Sequence, residues 1–182
     1  VRGDRKYAVM VWIHGGGYAF GSAVQYDYKN AIRSFVTKDV IIVTIQYRLS
    51  MYGFFTTYTE DFPANRGMYD QILALRWIKE EIEHFGGDPS RITLFGESAG
   101  GVSASALSLS PLSQGLFDRL IIQSGPLLSE FTVRGNPNGD INIARTKQIC
   151  GFDEKDWETG DFTTLKECIL AKNSSELYKH DF

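Results

Sequence analysis

Four short apolar runs constrain the fold most: YAVMVWIH (7–14), VIIVTIQ (40–46), ITLF (92–95) and RLIIQS (119–124). They are rich in Val and Ile and apolar on consecutive positions, not alternating, as expected for strands covered on both faces. Helical segments separate them. NAIRSFVTK (30–38) is short. MYDQILALRWIKEEIEHF (68–85) brings Ile72, Leu75, Ile78 and Ile82 to one face of an otherwise charged helix and is halted by Gly86-Gly87 with Pro89 beyond. AGGVSASALSL (99–109) is halted by Pro111. Strands alternating with helices predict an α/β fold with a parallel sheet. After residue 124 the character changes to a loop over 125–140, then short helices over 141–150, 163–171 and 174–179, an excursion from the sheet. Composition marks no domain boundary, and no internal repeat is visible.

The 182 residues are 43% hydrophobic, enough for an ordinary core, and the net charge of −3 offers no basic stripe for a nucleic acid. The apolar runs are too short to span a bilayer, and no signal peptide is visible ahead of the first strand. RGD at 2–4 resembles an adhesion tripeptide but is common by chance. Cys150 and Cys168, with no companion histidine or C-x-x-C pattern, make no zinc site. They read either as buried thiols or as a disulfide around FDEKDWETGDFTT, a polar, turn-rich stretch. Asn173-Ser174-Ser175 is an N-glycosylation sequon. Together these signals favour the secretory pathway. Nothing calls for a metal or cofactor, and the sequence is silent on oligomeric state.

The chemistry concentrates in two glycine-rich stretches. In FGESAGG (95–101), Ser98 sits on a turn after one strand and before one helix, the context in which G-x-S-x-G displays a serine for attack on a carbonyl. In WIHGGGYAFG (12–21), three consecutive glycines after a strand let backbone N–H groups converge on one point, as an oxyanion requires. The alternatives are an incidental serine and a flexible loop. A serine also needs a base. His14 reads better as a prop for the glycine loop than as that base. His84 reads as surface or helix-capping, and His180 sits two residues from the end.

HGGGYAFGS, YRLSMYGFF, PANRGMYDQILALRWIKEEIEHFGGDPSRITLFGESAGG and FDRLIIQSG resemble, in order and spacing, the type B carboxylesterase family, which includes the cholinesterases. The resemblance covers essentially residues 1–182 and implies part of an α/β-hydrolase fold, with its N- and C-terminal parts absent. It implies Ser98 as nucleophile, the N–H groups of Gly16, Gly17 and Ala99 as oxyanion hole, and the HGGG strand beside the nucleophile strand. It further implies a Cys150–Cys168 disulfide, an ion pair between Arg48 and Asp70, and in Glu97 a buried carboxylate near the site, which could equally hydrogen-bond the elbow backbone. Family order puts the triad acid and histidine beyond Phe182, so the chain alone is expected to be nearly inactive.

The expected activity is hydrolysis of a small carboxylic ester through an acyl-enzyme. A non-catalytic cholinesterase-like adhesion or binding protein is the competing reading, against which the intact Gly96, Ser98, Gly100 and triple glycine count. A truncated product with exposed sheet edges is a third. Histidine ahead of the glycines leans toward general carboxylesterases and away from an acetylcholinesterase-type enzyme. Tyr18 and Phe20 are candidates for the site entrance, and Phe131 for an acyl pocket.

Overall fold

The structure, a computed structural model, describes residues 6–128 and 140–178. Phe131, His180 and the RGD at 2–4 lie outside the described residues. The chain divides into two compact units, Val1–Tyr47 with Met68–Val133, and Arg48–Gly67 with Arg134–Phe182.

The first unit is built on four strands, β1 (Tyr7–Ile13), β2 (Val40–Thr44), β3 (Gly87–Glu97) and β4 (Arg119–Gln123). They form one parallel sheet in the order β2-β1-β3-β4. The two central strands carry the core. Val9, Val11, Ile13, Ile92 and Leu94 are completely buried, and each such side chain contributes about 1.5–3 kcal/mol over an exposed one. The expectation of burial on both faces is met at Leu94–Gly96 of β3, whereas β1 alternates, with Val9, Val11 and Ile13 buried on one face and Met10 and Trp12 half-buried on the other, and it fails at the edges. Every residue of β2 is at most half-buried, and Ile121 and Ile122 of β4 are each 43% exposed. An edge strand has a neighbour on one side only, so its apolar composition does not translate into burial within this chain.

Helix α1 (Tyr28–Ser34) follows β1, with a separate 3₁₀ turn at Val36–Lys38 where one helix over 30–38 was expected. Helix α3 (Arg66–Glu81) presents Ile72, Leu75 and Ile78 to the core, and Ile82 continues the face in a 3₁₀ turn ended by Gly86. Helix α4 (Ala99–Leu109) starts directly behind β3 and packs on β3, β4 and β1. At the foot of the sheet, Asp118 exchanges two hydrogen bonds with Ile92, its backbone N–H to the Ile92 carbonyl and its Oδ2 accepting the Ile92 N–H. That clasp sets the register in which Gly96 lies opposite Ile13 on one side and Ile122 on the other.

The second unit joins α2 (Ser50–Phe54) to α5 (Asp140–Cys150), α6 (Glu154–Thr159), α7 (Thr163–Ala171) and α8 (Ser174–Tyr178). Cys150 and Cys168 form a disulfide with Cα atoms 6.0 Å apart, tying α5 to α7. The stretch between them is not merely polar loop. Asp153 and Asp156 close a capping box at the start of α6. Trp157 is buried among Phe55, Phe152 and Phe162, with its indole N–H on Thr146 Oγ1 at 2.9 Å. Acidic and glycine residues hid this helix, since one aromatic in six residues carries no visible periodicity.

Arg66 holds the 48–67 segment of this unit in shape. Its guanidinium donates to the carbonyls of Tyr52, Met51, Phe55 and Pro63 at 2.8–3.0 Å. Five donors in a rigid fork can serve four acceptors at once, and an ammonium cannot. Arg66→Ala is expected to destabilise the unit by roughly 2–4 kcal/mol, because charge-assisted bonds are lost and partly buried carbonyls go unpaired. Arg66→Lys should recover only part. Urea unfolding followed by tryptophan fluorescence in a Trp12→Phe, Trp77→Phe background, where Trp157 alone reports, reads both.

Candidate active site

Ser98 stands between β3 and α4 with φ 54° and ψ −124°, a conformation that costs a non-glycine residue about 1–3 kcal/mol. Two backbone bonds hold it there. Its N–H donates to the Gln123 carbonyl on β4, and its own carbonyl accepts from Val102 in the first turn of α4, both at 2.9 Å. The side chain is thereby lifted off the end of the sheet at a helix N-terminus.

The glycine loop after β1 comes to the same point. A Cβ on Gly15 would lie 3.1 Å from Ser98 Cβ and 2.7 Å from the Glu97 carbonyl. Gly16, at φ 107°, turns its carbonyl to accept from Ala19 and Phe20. A side chain there would meet the Phe20 carbonyl at 2.0 Å, so the turn closes only with glycine. Among the described residues, the N–H groups of Gly16, Gly17 and Ala99 donate to no protein acceptor.

Two aromatic rings shape the start of this loop. His14 is 1% exposed, its Nδ1 lies 2.9 Å from the Gly15 carbonyl, and its ring stacks on Tyr47 with centroids 4.6 Å apart. The Tyr47 hydroxyl in turn donates to the His14 carbonyl at 2.8 Å. Burial pushes the Tyr47 phenol far above its ordinary range, with Tyr18 and Tyr26 adding to the effect, so it remains a donor at any working pH. Tyr47 was missed in the sequence. Nothing local distinguishes it from other tyrosines, and only its position after β2, the strand beside β1, brings it to the loop.

A model of the carboxylesterase family matches residues 2–182. The chain belongs to that family. It is 43% identical to the cocaine esterase of Oryctolagus cuniculus over 93% of its own length and 30% of that protein. Identity to the acetylcholinesterase-1 of Trittame loki is 48% over 69% of this chain and 22% of that one. The solved juvenile hormone esterase from Manduca sexta superposes with a TM-score of 0.81 at 34% identity, over 96% of this chain and 32% of that one. The chain therefore spans under a third of the length of these relatives. The partial α/β-hydrolase fold expected of this esterase-family chain is present, with the HGGG strand β1 directly beside the nucleophile strand β3.

The remaining candidates distribute unevenly. Glu97 is exposed in this chain, not buried, and its side chain makes no hydrogen bond among the described residues. It ends β3 on the side facing Gly15, where the loop backbone covers little of it. His84 is an exposed member of the 3₁₀ turn after α3, 3.8 Å from Glu81. No hydrogen bond joins Ser98 Oγ to His14 or His84 among the described residues. Phe20 is 61% exposed, while Tyr18 turns its hydroxyl toward α4 instead of the site entrance. Arg48 and Asp70 fall in different units.

Proposed function

We propose that this chain supplies the nucleophile and the oxyanion hole of a carboxylic-ester hydrolase that works through an acyl-enzyme. The observation that carries the reading is the convergence of a strained, helix-starting Ser98 with the glycine loop. Ser98 Oγ attacks the ester carbonyl, and the N–H groups of Gly16, Gly17 and Ala99 receive the oxyanion. The alkoxide leaves with a proton, and water then releases the acid. His14 is buried with Nδ1 at the Gly15 carbonyl and its ring stacked on Tyr47, and it makes no hydrogen bond to Ser98 among the described residues, so we place the general base in a part of the protein outside this chain. The esterase names of the relatives support an ester substrate. An intact elbow and loop speak against a purely adhesive role. A fluorophosphonate probe applied to the intact protein should label Ser98 stoichiometrically and leave Ser98→Ala unlabelled. A wild-type protein that takes no label would overturn the reading in favour of a binding module.

The Cys150–Cys168 disulfide and the Asn173 sequon support passage through an oxidising, glycosylating compartment. Asn173 is exposed and caps α8. Its Oδ1 accepts the Glu176 N–H at 3.0 Å and the Ser175 hydroxyl at 2.7 Å, and Glu176 Oε2 accepts the Asn173 N–H. A glycan on Nδ2 leaves Oδ1 free to keep the cap. Protein from a secretory host should lose mass on treatment with an amidase specific for N-glycans, and Asn173→Gln should abolish the part of that loss due to this site.

A further inference from the structure

The donors of the proposed oxyanion hole come from two separate elements, Gly16 and Gly17 from the loop and Ala99 from the start of α4. Their spacing must be held while charge develops on the substrate oxygen, since misplacement of a reacting group by about 1 Å can cost 100-fold in rate. A buried polar chain crosses between the same two elements. Gln71 Nε2 of α3 donates to Ser103 Oγ of α4 at 3.1 Å, and Ser103 Oγ donates to the Tyr18 hydroxyl at 3.2 Å. Met68 Sδ, at 3.6 Å, is a weaker alternative acceptor for the same proton.

Several features set this chain apart from ordinary core packing. Ser103 and Gln71 are both completely buried. A serine inside a helix commonly bonds back to its own preceding turn, whereas Ser103 reaches out to the loop. Gln71 Oε1 has no hydrogen-bond partner among the described residues, and a buried unpaired acceptor costs stability. The network is therefore a poor device for stability and a good one for geometry. At its far end, Tyr18 directly follows Gly17 and holds φ 64°, a left-handed conformation that residues with side chains avoid. Burial raises the Tyr18 phenol while the bond from Ser103 opposes that shift, which keeps the hydroxyl protonated and neutral in working conditions.

We propose that Tyr18, Ser103 and Gln71 are positioning residues, a cross-brace that fixes the Gly16–Gly17 donors relative to the Ala99 donor. The inference rests on the proposed esterase reading of Ser98. It assigns Tyr18 a role beneath the loop, in place of contact with substrate.

The test is steady-state hydrolysis of 4-nitrophenyl acetate by the intact protein, with inhibition by an alkyl trifluoromethyl ketone, whose hemiketal oxyanion would occupy the hole. Tyr18→Phe and Ser103→Ala should each lower kcat about tenfold with KM within about twofold, a partial loss against the 100- to 1,000-fold cost of deleting a donor outright. Trifluoromethyl ketone affinity should fall by the same factor as kcat; the thermal midpoint should stay near wild type in Tyr18→Phe and fall in Ser103→Ala, which strands the buried Gln71 amide. Because both residues act through one bond, the double variant should be no worse than either single. Wild-type kcat in both singles would overturn the brace. So would lowered kcat with unchanged ketone affinity, or, in Tyr18→Phe, a lowered kcat with a matching fall in thermal midpoint. Ser98→Ala separates the two levels of the argument. If it is inactive while the brace variants are normal, only the brace fails, and if it retains hydrolysis, both fail.

Discussion

Ser98→Ala in the intact protein is expected to lower kcat for ester hydrolysis by about a million-fold, the scale seen when a hydrolase loses its nucleophile. Without Oγ no acyl-enzyme forms, and the hole can only stabilise direct attack by water. What survives is the share contributed by the N–H donors and by binding, roughly 10³–10⁴ over the uncatalysed rate. KM should change little, since the hydroxyl acts in the transition state. Folding should not suffer. Ser98 N–H and carbonyl keep their bonds to Gln123 and Val102 whatever the side chain. Ser98→Gly should even raise stability, by about 1 kcal/mol, because glycine accepts the positive φ without strain. Chemical denaturation of the three proteins, alongside their kinetics, checks this trade. Equal stability in the serine and glycine forms would remove the case for strain at the elbow.

Gly100→Ala should be as damaging for a different reason. The new Cβ would meet the Ile13 carbonyl oxygen at 2.1 Å, the Ile13 carbonyl carbon at 2.8 Å and the His14 carbonyl oxygen at 2.9 Å. All three are backbone atoms at the end of a central strand, so no side chain can swing away. Either α4 lifts off β1, which moves Ala99 from the glycine loop, or the strand end shifts and takes His14 with it. The expected cost exceeds about 3 kcal/mol, at the upper end for overpacking, together with loss of fluorophosphonate labelling. Gly17→Ala provides the control. A Cβ there meets nothing within 4 Å, although φ is 61°, so the variant should fold with a penalty of about 1 kcal/mol. A Gly100→Ala protein with wild-type stability and labelling would show that β1 and α4 do not approach as closely as their backbones indicate.

Much of the first unit was legible in the residues. Helix α4 has the bounds that Ser98 and Pro111 suggest, strand β1 stops one residue short of its apolar run, and the buried stripe Ile72, Leu75, Ile78 and Ile82 follows from helical spacing alone. These are local signals, because period and punctuation are written within a few turns of chain. The second unit was read less well. That residues 48–67 join the C-terminal helices, and that Trp157 lies at the centre of their core, depends on contacts between segments about a hundred positions apart. No window along the chain contains both partners.

The same division runs through the candidate site. The identities of Ser98 and the glycines were determined by sequence, since a tight strand-to-helix turn and a side-chain-free loop admit few residue types. Tertiary structure alone decided what surrounds them. It left Glu97 exposed because little of this chain covers the end of β3, and brought Tyr47 under His14 because β2 lies beside β1. It also aimed the Tyr18 hydroxyl at Ser103, 85 positions away, in place of the site entrance. A residue's chemical type is local information. Burial, hydrogen-bond partner and direction belong to whatever the fold sets against it.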